Sequence, residues 1–165
     1  MKKLLASFIS LFTAGAIASS AIDTPAFKME LSGDWVQEKA QDSEQKSYYS
    51  KSLDTGLTTS YLLMNAKPSD TERIASKLIE FRLQGENAAA NEFNLKMTIA
   101  EPILVPFSKG HQVAYYGHDS NNRQFRYLGV VMADKTINIY AESKTKSQSE
   151  LEVIFNNLLK GLKIE

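Results

Sequence analysis

Residues 123–141 read RQFRYLGVVMADKTINIYA, two strands folded back on a tight turn at Ala133-Asp134-Lys135. In the second arm Ile137, Ile139 and Ala141 alternate with Thr136, Asn138 and Tyr140, the period-two pattern of a strand with a dry face and a wet one. In the first arm Phe125, Tyr127 and Val131 share a face with Gly129, while Leu128, Val130 and Met132 occupy the other. This arm is therefore apolar on both sides near its end, which places the hairpin at the centre of a sheet.

The flanking sequence supplies partners for that hairpin. Residues 113–117 form a strand bounded by Lys109-Gly110 before it, and His118-Asp119-Ser120-Asn121-Asn122 reads as the polar loop that leads into the hairpin. Residues 95–103 alternate weakly, and Pro102 and Pro106 confine the following segment to an edge or a loop. Earlier in the chain, residues 47–51 and 57–64 make a second hairpin about the turn Asp54-Thr55-Gly56, after a polar loop over residues 39–46. Residues 27–31 are a short strand closed by Ser32-Gly33-Asp34.

Two helices complete the pattern. Ser69 and Glu72 have the spacing of a capping box, followed by Ile74, Leu78 and Phe81 on one face, with Ala75 and Ile79 widening it and Gly85 as the stop. Residues 86–93 are compatible with a continuation or with a break. Ser147 and Glu150 repeat the capping spacing before Leu151, Ile154, Phe155, Leu158, Leu159 and Leu162, and Gly161 closes the segment. Short links between strands imply antiparallel pairing, and one-sided helices need a sheet to cover. The expected fold is α+β: an antiparallel sheet of about six strands with two main helices packed on it.

The amino terminus carries an address. Lys2 and Lys3 precede an apolar run over residues 4–17 that ends in small side chains, the order of a secretory signal peptide. The run is shorter than the roughly 20 residues that cross a bilayer. Cleavage suits Ala18, with Ala16 upstream, or Ala21, with Ser19 upstream; the expectation is cleavage near Ala21, giving a signal peptide over residues 1–21 and one domain over residues 22–165. The chain has no cysteine, so the mature protein is expected to be a soluble periplasmic domain with neither a lipid anchor nor a disulfide. Removing Lys2 and Lys3 from the 19 basic residues leaves 17 against 19 acidic ones, without the basic excess of a nucleic-acid binder.

This order of elements, with Leu31-Ser32-Gly33-Asp34-Trp35 after the first strand and Gly161-Leu162-Lys163-Ile164 after the last helix, resembles the PsbP-like family, which includes bacterial DcrB-like envelope members. The resemblance implies a non-catalytic sandwich of the kind used by assembly factors, accessory subunits, secretion chaperones and toxin-neutralising immunity proteins. The chain departs from DcrB-like members in having no lipoprotein cysteine.

Catalytic equipment is sparse. His118-Asp119-Ser120 has the residue types of a triad, but neighbours in one loop point apart, whereas a triad converges from separate segments. His111 and His118 have no metal-ligand spacing, and no glycine-rich phosphate loop is present. No cofactor, metal or catalytic residue is expected. Adjacent tyrosines on strands must put one ring on each sheet face, and outward tyrosines favour protein contact. The candidate binding residues are Trp35, Tyr49, Tyr116, His118, Asp119, Arg123, Lys135 and Tyr140, serving a protein partner in the cell envelope, a toxin or an assembly component, on the open sheet face or the loops around Asp54, His118 and Lys135. A second reading is a small-molecule or lipid binder with Trp35 and Phe93 in the wall of a groove. A third is a hydrolase built on His118 or Asp119.

Overall fold

The computed structural model describes residues 20–38 and 44–164. Most of the expected signal peptide lies outside these residues. The strands are β1 (Ser20–Asp23), β2 (Lys28–Leu31), β3 (Trp35–Gln37), β4 (Gln45–Ser50) and β5 (Thr55–Leu63) before the helix α1 (Thr71–Glu92). After it come β6 (Met97–Ile99), β7 (Ile103–Phe107), β8 (Gly110–Asp119), β9 (Gln124–Met132) and β10 (Lys135–Ser143), then α2 (Gln148–Lys160) and β11 (Leu162–Lys163).

The hairpin of β9 and β10 forms the middle of an antiparallel sheet in the order β3-β4-β5-β10-β9-β8-β6, with β7 also paired to β8. Among the described residues this sheet has eight strands rather than about six, because the chain near Pro102 divides one edge into β6 and β7 and because β3 adds the opposite edge. A second, three-stranded sheet, β1-β2-β11, was not foreseen.

Register assigns each face. Ile137, Ile139 and Ala141 stand beside Val130, Leu128 and Arg126 of β9, and this side forms one core with Leu151, Phe155 and Leu158 of α2 and with Ile22, Phe27, Met29 and Leu31 of the small sheet. The opposite side carries Val113, Tyr115, Phe125 and Tyr127, against which Leu78 and Ile79 of α1 pack. The face of β10 expected to be wet is thus covered in part: Thr136 is buried, and Tyr140 stacks on Phe125 at 5.9 Å. Two helices on opposite faces explain why the middle strands are apolar on both sides.

α1 corrects three expectations. A single 3-10 turn, Pro68–Asp70, leads into it, and neither Ser69 nor Asp70 caps it with a side chain. Instead the Thr71 hydroxyl donates to the Pro68 carbonyl at 2.9 Å and meets His111 Nδ1 at 2.9 Å, joining the helix start to β8. The inward stripe runs Thr71, Ala75, Leu78 and Ile79, then Arg82, Glu86 and Ala90; Phe81 faces outward at 72% exposure. Gly85 does not interrupt the helix, since glycine inside a helix costs only about 1 kcal/mol and leaves every backbone bond intact. The true stop is Asn94 at φ +53, where the amides of Asn94 and Leu95 donate to the carbonyls of Asn91 and Ala90 in a Schellman closure.

α2 keeps its capping box: the Glu150 amide donates to Ser147 Oγ at 3.3 Å and the Ser147 amide to the Glu150 carboxylate at 2.8 Å. Gly161 ends it for a steric reason. The Glu30 amide donates to the Gly161 carbonyl at 3.1 Å, and a Cβ at Gly161 would strike the Glu30 backbone carbonyl. Gly161→Ala is therefore expected to cost about 1–3 kcal/mol, as overpacking does. Chemical denaturation reads this, and an unchanged midpoint would show that β2 does not approach the helix end so closely.

Candidate functional site

The carboxyl ends of β8 and β10 and the amino ends of β5 and β9 meet at one end of the large sheet, as the pairs Glu142↔Gly56, Ser143↔Gln124 and His118↔Gln124 require. At that end, on the α1 side, lies a cleft of 470 Å³ lined by Glu38, Tyr49, Asp54, Gly56, Arg123, Glu142 and residues 143–145. The glycine at position 56 adds no side chain to the cleft, and a Cβ there would make only ordinary contact with Glu142.

The walls are fixed by hydrogen bonds. Asp54, at φ +46 in the turn between β4 and β5, accepts from the Tyr49 hydroxyl and from Thr145 Oγ1, and its backbone carbonyl accepts from Ser143 Oγ at 2.6 Å. Thr145 and Tyr49 hold the Asp54 carboxyl below its ordinary value, and the same carboxylate pushes the Tyr49 phenol up.

Arg123 forms the inner wall. Its Nε donates to Asp119 at 2.9 Å, and its Nη1 donates to Glu142 at 3.0 Å and to the Tyr140 hydroxyl at 3.3 Å. Behind it, Glu86 of α1 stands 3.9 Å from Arg123 and 3.2 Å from Arg82, whose guanidinium lies over the rings of Tyr127 and Tyr140. Arg123 and Lys144 face Glu38, Asp54 and Glu142 in the cleft, with Asp119 and Glu86 at the back, so acidic groups are in excess.

The two buried carboxylates titrate in opposite senses. Burial disfavours the charge on each. At Asp119 the Arg123 side chain and the amides of Asn121 and Arg123 outweigh burial and hold the carboxyl below its ordinary value. At Glu86 burial prevails over Arg82 and Arg123, and the carboxyl is raised. A depressed folded value contributes stability that is present above the unfolded value, about 4, and is lost as pH falls through the folded one; a raised value relieves the folded state on protonation. Stability is expected to hold or rise slightly from pH 7 to about 5 and to fall below about pH 4. Urea midpoints across pH test this: Glu86→Gln should abolish the rise and keep the acid loss, and an unaltered profile would remove Glu86 from the network.

The structure brings together some candidate residues and separates others. Tyr49 and Arg123 line the cleft, and Asp119 and Tyr140 support it from beneath. His118 points to the opposite face from its neighbour Asp119, beside Tyr116, over whose ring Arg126 stacks while pairing with Glu152 of α2. His118, Asp119 and Ser120 therefore do not converge. Lys135 is buried at the far end of β10, beside Asp134 at 3.3 Å. Seven strand residues lie between it and Ser143, so Lys135 and the loop around Asp54 stand at opposite ends of the large sheet. Lys135 is the first residue of β10 and not part of the turn, because the hairpin turns on Ala133 and Asp134 alone.

Trp35 is buried on the α2 side, where it lines a groove of 530 Å³ with Leu53, Ile154, Leu158 and Gly161. Phe93 takes no part in that groove; it is exposed at the end of α1. Sequence reasoning missed Glu142, Glu38, Arg82 and Glu86. Glu142 obeys the alternation of β10, and that signal was present, but its position opposite Gly56 depends on register across 86 residues of chain.

No family model matches the chain, and no curated protein matches it significantly. Among solved structures it is similar to cyanobacterial PsbP (CyanoP) from Synechocystis sp. PCC 6803, with a TM-score of 0.69 and 7% identity, covering 93% of this chain and 96% of that one. A crystal structure from Bacteroides thetaiotaomicron VPI-5482 aligns with a TM-score of 0.41 and 11% identity, over 84% of this chain and 45% of that one. The chain thus has a PsbP-like fold, as the resemblance implied; at 7% identity the likeness concerns fold alone.

Proposed function

We propose that this protein is a non-catalytic recognition module of the periplasm that binds one protein partner through the Tyr49–Glu142 cleft and the open half of the sheet beside it. The observation that carries this is the limited reach of α1. It packs on β6 to β9, while β3, β4 and β5 present Val36, Tyr49 and Leu62 on the same face at 67%, 39% and 61% exposure. The Tyr49 ring and the Val36 side chain, paired across β3 and β4, stand beside the acidic cleft, with Leu62 farther along the same face at the other end of β5, and this surface suits a partner that presents basic side chains around an apolar anchor. A toxin to be neutralised or a component of envelope assembly meets that description, and the signal-peptide pattern supplies the compartment.

Affinity purification from an envelope extract at native expression checks this. The wild-type chain is expected to retain one stoichiometric protein. Tyr49→Ala should weaken retention tenfold or more, as loss of an aromatic anchor does, while Tyr116→Ala on the opposite face should not. Equal retention by both variants would contradict the assignment of the face. The apolar floor of the Trp35 groove favours a second reading, a small-molecule or lipid site. A ligand for that groove raises the melting temperature with no protein partner present, which separates the two.

A further inference from the structure

We infer that signal peptidase cuts this chain after Ala18, so that the mature protein begins at Ser19. This rests on export, which the sequence pattern supports. The peptidase requires small side chains at the positions three and one before the cut, and Ala16-Ile17-Ala18 meets that as well as Ser19-Ser20-Ala21 does. The sequence leaves the choice open; the fold favours the cut that leaves the first strand whole in the mature chain.

β1 begins at Ser20 and is held by four pairs, Ser20↔Leu31, Ala21↔Glu30, Ile22↔Met29 and Asp23↔Lys28. The Ser20 hydroxyl also donates to the Trp35 carbonyl at 2.8 Å, tying the small sheet to the first strand of the large one. Ile22 is 0% exposed and belongs to the core shared with Met29, Leu31 and Trp35.

A cut after Ala21 would delete two of the four pairs and the bond to Trp35. A cut after Ala18 keeps every pair and leaves the new α-ammonium on Ser19, one residue before the strand. The same difference bears on the groove, because the strand tied to Trp35 by Ser20 borders the residue that floors it.

Intact mass and amino-terminal sequencing of the chain purified from the periplasm of an expressing bacterium test the inference. The expected first residue is Ser19. Ile22 as the first residue of an exported chain would overturn the cut position alone; a full-length chain retained in the cytosol would overturn export and the inference with it. Ala16→Gln should leave uncut precursor, since position 16 lies three residues before a cut at 18 but six before a cut at 21; normal maturation of that variant would count against Ser19. Purified chains starting at Ser19 and at Ile22 should differ, the shorter melting at least about 5 °C lower. Equal melting temperatures would remove the physical reason for the choice.

Discussion

Arg123→Ala is expected to destabilise the fold by about 3–5 kcal/mol, the cost of removing one partner from a buried ion network. The guanidinium satisfies three carboxylates at once, Asp119, Glu142 and Glu86, of which Asp119 and Glu86 have side chains only 2% and 9% exposed. Alanine would leave both without their shared cation in a poorly solvated space under α1. Coulomb attraction alone would not make the loss so large; the greater part is the desolvation of carboxylates that lose their shared cation and keep fewer partners, Asp119 the backbone amides at positions 121 and 123 and Glu86 the Arg82 guanidinium. Arg123→Lys should recover only part of the loss, because an ammonium cannot donate to Asp119 and Glu142 in the fixed fork that these positions match. Urea denaturation measures both variants. A loss below about 1 kcal/mol in Arg123→Ala would mean that the network is solvated and behaves as a surface cluster.

Phe155→Ala should cost a similar amount, about 3–5 kcal/mol, by a different mechanism. Phe155 projects from α2 into the core that Ile137, Ile139 and Met29 share, and it is 6% exposed. Its removal opens a cavity at the junction of α2, the large sheet and the small one, where three rigid elements limit collapse. Val153→Ala, on the outer side of the same helix, is the control and should stay within about 0.5 kcal/mol. If the two variants unfold at the same denaturant concentration, the packing of α2 on the sheet is wrong.

The parts of the fold that could be read from sequence are those governed by short-range pattern. The β9–β10 hairpin showed itself by alternation, and α2 by a capping box followed by apolar residues at helical spacing. α1 was legible as a helix but not in its orientation. Its inward stripe contains Arg82 and Glu86, charged residues that any amphipathic reading assigns to solvent, and its outward side carries Phe81. Those charges are tolerated inside because Tyr127, Tyr140 and Arg123 of the sheet receive them, and those partners come from strands far along the chain. β1 was hidden for another reason. Ser20 and Ala21 serve two grammars, the small residues of a processing site and the first half of a strand, and only the pairing with β2 shows the second.

The candidate site was half legible. The adjacent pairs Tyr48-Tyr49 and Tyr115-Tyr116 did place one ring inside and one outside, as strand geometry demands. What the sequence could not show is that the two outward rings, Tyr49 and Tyr116, stand on opposite faces of the sheet, a consequence of register across β4, β5, β10, β9 and β8. For the same reason Lys135 looked like a hairpin rim and is instead buried.

Recognition at the cleft is tested most directly by a photoreactive phenylalanine analogue placed at position 49 or at position 116 in the cell, with irradiation and mass analysis of any adduct. Binding through the open half-sheet predicts one protein adduct from position 49 and none from position 116. An adduct from position 116 alone, or from neither position, would contradict it.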